Sequence, residues 1–128
     1  YLKTAGGDIW GDRFEGNFFA HTSGGDINLF CSNAKIEANT SGGDIELEYT
    51  GVNQGIELKT SGGDIDVRVP ADFDAKALLR TSGGDVDCNL VMNNVTKLSE
   101  TKIDANINKG GKPLIAETSG GDVSVYKK

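Results

Sequence analysis

Apolar and polar residues alternate along most of this 128-residue chain, and the alternation restarts at regular points. One, three and five places after Asp26, Asp44, Asp64 and Asp85 stand Ile27, Leu29 and Cys31, then Ile45, Leu47 and Tyr49, then Ile65, Val67 and Val69, then Val86, Cys88 and Leu90. A period of two marks a strand with one buried face. A second alternating stretch ends at a Thr, with Phe18/Ala20, Ile36/Ala38, Ile56/Leu58, Ala77/Leu79 and Leu114/Ala116 four and two places before it. The Thr shares the parity of these apolar residues and is predicted to point inward. Its hydroxyl must then bond to backbone or to another Thr, because an unpaired buried hydroxyl costs about 1–3 kcal/mol.

Between the two kinds of strand lies Thr-Ser-Gly-Gly-Asp followed by Ile or Val, with Thr at positions 22, 40, 60, 81 and 118, and Thr4 to Ile9 is a sixth copy. The first four steps are 18, 18, 20 and 21 residues, which signals one supersecondary unit stacked on itself. The last step, 37 residues, is expected to hide a coil without the signature. There Leu98 takes the place of Thr, Lys102 that of Asp, and Ile103, Ala105 and Ile107 fill the inward columns. The expected fold is all-β: a single-domain β-helix, or β-solenoid, of about seven coils over residues 1–128. Its strands are mostly parallel, and right-handed by the usual crossover preference. The Gly-Gly pair is expected to supply positive φ at the turn, and the Asp to bond turn amides.

Composition adds limits. Gly is 18 of 128 residues and Pro only 2, a turn-rich chain without the Pro content of a linker or collagen. No apolar run approaches the ~20 residues of a membrane span and no signal-peptide pattern opens the chain; the start at Tyr1 points to an excised segment of a longer protein. A net charge of -6 argues against nucleic acid as partner. Cys31 and Cys88 fall in inward columns three coils apart, roughly 14 Å at ~4.8 Å per rung. That exceeds the ~7 Å a disulfide tolerates, so both read as small core residues.

Charged positions form rows. The turn residues Asp8, Asp26, Asp44, Asp64, Asp85 and Asp122 make one column. Calcium β-rolls take several ligands from a nine-residue repeat, whereas one Asp per coil reads as a turn acceptor, with Lys102 expected between Asp85 and Asp122. No metal or cofactor is expected. Glu46, Asp66, Asp87 and Asp104 are expected as an outward acidic row, and His21, Lys59, Arg80 and Lys97 as a basic one. Asp66, Asp87 and Arg68 match the residue types used by β-helix enzymes acting on polysaccharides. No nucleophile motif accompanies them, and exposed carboxylates alone do not specify catalysis; no catalytic residue is assigned.

Two other groups are binding candidates. All variation in coil length sits in the loops on one edge, the commonest place for a binding face. Two long ones, residues 50–55 and 70–76, are expected to raise a groove rim carrying Asn53, Gln54, Asp72, Phe73 and Asp74, against the alternative that Phe73 caps the core. Leu78, Val95 and Ile115, three residues before the Thr column on consecutive coils, form an expected apolar stripe. Such stripes mark a covered surface, and a second copy of the chain is one cover, making a homo-oligomer.

The repeated Thr-Ser-Gly-Gly-Asp-Ile turns, and the ending from Lys109-Gly110-Gly111-Lys112-Pro113 to Thr118-Ser119-Gly120-Gly121-Asp122-Val123, resemble a bacterial family of β-solenoid domains that carries an adhesin label and has no defined function. The likeness spans almost the whole chain and breaks at Leu98 to Lys102. It implies a cell-envelope domain, periplasmic or extracellular, acting as a non-enzymatic interaction or structural module with a cell-surface glycan or protein as partner. It offers no catalytic residues. Two alternatives stand beside it: a polymerising β-helix scaffold of bactofilin type, stacking through its terminal rungs, and a polysaccharide-acting β-helix enzyme.

Overall fold

The computed structural model describes residues 2–4, 6–51, 54–70, 73–88, 92–98 and 101–127 and forms twelve strands there. The strands are β1 (Leu2–Thr4), β2 (Ile9–Thr22), β3 (Ile27–Thr40), β4 (Ile45–Thr50), β5 (Ile56–Thr60) and β6 (Ile65–Val69). They continue with β7 (Ala75–Thr81), β8 (Val86–Cys88), β9 (Met92–Leu98), β10 (Lys102–Ile107), β11 (Pro113–Thr118) and β12 (Val123–Lys127). Buried residues alternate with more exposed ones along β3 to β7 and β10 to β11. Nine of the eleven strand pairings are parallel. The fold is therefore the expected all-β solenoid of mostly parallel strands.

The strands form two stacks. In one, the residues following each turn Asp pair in the order β2, β3, β4, β6, β12, β8. In the other, the residues preceding each Thr pair in the order β1, β2, β3, β5, β11, β7, with β10 and β9 added beyond. The long strands β2 and β3 run through both. The core lies between the stacks. Ile45, Leu47, Ile65, Val67, Leu58, Leu79, Leu114 and Val125 are all fully buried there, as the alternation predicts.

The stacking order departs from chain order. The C-terminal coil, β11 with β12, is inserted between β5/β6 and β7/β8, and pairs with both. The expected seventh coil around Leu98 to Ile107 is instead an antiparallel addition: β10 pairs antiparallel with β7 and with β9. Without a Gly-Gly turn this segment cannot offer the close-packed corner that propagates the stack. Lys102 consequently lies opposite Arg80, outside the Asp column. Cys31 and Cys88 are separated by β4, β6 and β12, four rungs or roughly 19 Å at ~4.8 Å each, and neither is in a disulfide.

The turn repeat is an inter-rung staple. Each Thr hydroxyl donates to the carbonyl of the second Gly one rung away: Thr22 to Gly7, Thr40 to Gly25, Thr60 to Gly43, Thr118 to Gly63 and Thr81 to Gly121, at 2.6–2.9 Å. The same oxygen accepts the amide of its own second Gly at 3.1–3.4 Å. No buried side-chain nitrogen or oxygen among the described residues lacks a partner. The inward Thr therefore satisfies itself on backbone.

The reason for glycine differs from the expectation. Positive φ occurs at Gly16, Gly51, Gly55, Gly110 and Gly111, none of them in the repeated turn. What the turn needs is space. A Cβ on Gly25, Gly43, Gly63, Gly84 or Gly121 would fall on the carbonyl of the second Gly in the neighbouring rung, whereas one on Gly24 or Gly42 meets nothing within 4 Å.

Candidate functional site

The staple leaves the turn Asp carboxylates exposed yet engaged. Oδ1 of Asp8, Asp26, Asp44, Asp64 and Asp122 accepts the backbone amide of the next rung's Asp at 2.8–2.9 Å. The column is therefore a ladder of carboxylate-to-amide bonds in the order 8, 26, 44, 64, 122, 85. Its chemistry is structural, because each bond ties one coil to the next.

Inserting β11/β12 rearranges every outward row. Beside the Thr column the order becomes His21, Asn39, Lys59, Glu117, Arg80, Lys102. Glu117 thus stands between two cations, and its Oε1 lies 3.4 Å from Arg80 Nη2. Lys59 Nζ lies 3.0 Å from Glu57 Oε1, and that hydrogen bond, with the charge of Glu57, raises the lysine pKa. These side chains and the serines that follow each Thr line an open groove of ≈ 460 Å³ running across the rungs. Its lining includes Ser41, Ser61, Ser119 and Ser82 together with His21, Asn39, Lys59, Glu117 and Arg80. Four successive rungs each supply a Ser hydroxyl and one polar or charged group.

The acidic row becomes Glu46, Asp66, Ser124, Asp87. Asp104 is not in it, because β10 sets that residue opposite Leu78 in the other stack. Ser124 parts Asp66 from Asp87, so these two carboxylates do not stand on adjacent rungs. The pKa of Asp66 is raised, chiefly because burial penalises its charge and further because Asp64, Glu46 and Asp44 repel it.

The predicted binding residues are dispersed. Asn53 and Asp72 lie outside the described residues. Gln54 is half-buried, and its backbone hydrogen-bonds to Tyr49. Phe73 is 2% exposed and meets the Tyr49 ring edge-on at 5.5 Å between centroids, so it caps the core and offers no surface to a ligand. Asp74 is exposed, and its Oδ1 accepts the amide of Lys109 at 3.2 Å, while the Phe73 carbonyl accepts Asn108 Nδ2 at 2.7 Å. This loop is clasped by residues 108–112.

The expected apolar stripe is also reordered. Leu78 and Ile115 are direct partners on β7 and β11, and with Lys76, Asp104 and Pro113 they line a shallow depression of ≈ 250 Å³. Val95 is on β9, separated from Leu78 by β10, so the three residues do not make one continuous stripe. Sequence reasoning passed over Trp10 and Phe30, which are 76% and 37% exposed and share a cleft. Their outward parity was already visible, two and four places after Asp8 and Asp26.

No helix among the described residues is long and apolar enough to cross a membrane. Neither the curated proteins nor the solved structures contain a match to the chain. The family model described as Toastrack DUF4097 matches residues 13–126, taking in every Thr-Ser-Gly-Gly-Asp turn and every strand from β3 to β11. The chain belongs to the Toastrack DUF4097 family.

Proposed function

We propose that this domain is a non-enzymatic recognition module of the cell envelope, adhesin-like, and that it holds an extended glycan along the serine-lined groove. The observation that carries this reading is the groove's repetition: hydroxyls of Ser41, Ser61, Ser119 and Ser82 recur once per rung beside Lys59, Glu117 and Arg80. At ~4.8 Å per rung, such a row presents donors and acceptors in series to a hydroxyl-rich polymer. A rigid stack suits the task, since binding then costs little ordering of the protein.

The test is glycan-array binding of the native domain against a Ser61→Tyr/Ser119→Tyr variant. Both serines are exposed, so the bulkier side chains fill the groove without entering the core. Loss of array signal of at least tenfold at an unchanged melting temperature supports the reading. Equal signal from both proteins, or none from the native domain, overturns it. A second reading, the polymerising scaffold, draws on the terminal rungs, where β1 at one end of the stacks and β8 and β9 at the other each have one neighbour among the described strands. Filaments in electron micrographs of the purified domain would favour it.

A further inference from the structure

On the other stack, away from the serine groove, we propose a second binding site: the cleft between Trp10 and Phe30 receives the cationic side chains of a basic polypeptide. The cleft, ≈ 410 Å³, is lined by Trp10, Gly11, Asn28, Phe30, Glu46 and Glu48, with Leu29 at its base. It spans three rungs, because Trp10 pairs with Asn28 and Asn28 with Glu46, while Phe30 pairs with Glu48. Gly11 between the aromatic positions keeps its floor low.

An indole left 76% exposed in a β-stack is a surface with binding energy in reserve, since Trp is the side chain most enriched among residues that dominate interfaces. What it faces decides the partner. Among the described residues, every charged one lining the cleft is a carboxylate. The acidic row continues from Glu46 to Asp66, whose charge is opposed by burial and then by Asp64, Glu46 and Asp44. Arg68, one rung beyond Glu48, offsets this field only in part. An aromatic face beside carboxylates attracts Lys or Arg twice, through the ring quadrupole and through charge. A single small cation would answer one carboxylate. Carboxylates on successive rungs, with two aromatic rings at one end, fit an extended segment carrying several basic residues.

Trp10 is the only tryptophan of the chain, so its fluorescence reads the cleft directly. Hexa-arginine titrated into the domain at low salt should shift and quench the emission saturably. Glu46→Gln/Glu48→Gln should weaken this at least tenfold, and Asp87→Asn, an equal loss of charge per site far along the stack, should change it less than twofold. Labelled hexa-arginine followed by anisotropy should lose its binding to Trp10→Ala, with the melting temperature unchanged. The proposal is overturned if the emission does not respond. It is also overturned if the Glu46→Gln/Glu48→Gln variant binds as well as the native domain, which would indicate attraction to net charge alone. A neutral β-glucan hexasaccharide that produces the emission change where hexa-arginine does not would overturn it in favour of a sugar platform.

Discussion

Replacing one glycine of a turn or its neighbour should have opposite consequences. Gly62 and Gly63 are adjacent in the turn after Thr60, and neither has positive φ. A Cβ on Gly62 would lie 3.8 Å from the Ser41 carbonyl oxygen, an ordinary contact, whereas one on Gly63 would sit on the Gly43 carbonyl oxygen and 2.6 Å from Asp44 Oδ1. To restore an ordinary C···O contact of about 3.3–3.6 Å, the two rungs must part by roughly 1.5 Å. That movement breaks the 2.8 Å bond from Thr60 Oγ1 to Gly43 O and the 2.8 Å bond from the Asp64 amide to Asp44 Oδ1. A neutral hydrogen bond is worth about 1 kcal/mol and one to a charged group about 1.5–3, and overpacking adds about 1–3 kcal/mol.

Gly63→Ala should therefore cost about 4–6 kcal/mol, a large part of the 5–15 kcal/mol typical of a whole domain. At roughly 4 °C per kcal/mol for a chain of this size, its melting temperature should fall by about 15 °C or more. Gly62→Ala should be neutral or gain about 0.4–1 kcal/mol through the less flexible unfolded chain. Thermal melts followed by far-ultraviolet circular dichroism compare the two directly. Equal damage from both substitutions would refute the reasoning, because the turn would then require glycine for its conformation and not for its space.

Three further outcomes follow from the packing. Val125→Asp should destabilise as severely as Ile65→Asp, by several kcal/mol for an unpaired buried charge, because the C-terminal coil lies inside the stack; a mild melt shift for Val125→Asp would place that coil at a fraying end. Asp66→Asn should stabilise the domain at neutral pH. The raised folded-state pKa of Asp66 means the native state binds its proton first, so wild-type stability rises as pH falls through that value, and denaturant melts at pH 7 and pH 4 should show the variant's advantage shrinking. Tyr49→Phe should cost about 1–3 kcal/mol, since the hydroxyl both accepts the Ala34 amide at 2.8 Å and donates to the Ala34 carbonyl at 2.9 Å. Burial raises the Tyr49 pKa, so its contribution is complete below about pH 10 and lost as pH rises through the folded value; an alkaline titration of stability should show that decline in the native domain and not in the variant.

Much of the candidate site was legible one residue at a time and illegible as a set. The inward columns from Ile27 to Val125, the inward Thr and the outward Ser and Asp all follow from period-two alternation, a local property that survives any arrangement of the coils. Lys59 and Arg80 were readable as outward cations in the same way. Glu117 between them was not, because it comes from the end of the chain. Phe73 could be read from its loop as a cap on the core, but the Tyr49 ring it meets could not, since that contact depends on another coil approaching.

The sequence by itself determined the cross-section of the rung: two strands, a glycine corner and an apolar interior. It could not determine which rung lies on which. Every Thr-Ser-Gly-Gly-Asp corner offers the same Thr hydroxyl, the same Gly carbonyl and the same Asp carboxylate, so one coil can dock on any other through identical bonds. The tertiary structure broke that degeneracy with contacts the repeat does not encode. They are the Glu117 and Arg80 ion pair at 3.4 Å, the pairing of Leu78 with Ile115, and the antiparallel seating of β10 where no glycine corner exists. Those non-repeated contacts accompany the order of the stack, and that order sets which charges line the groove.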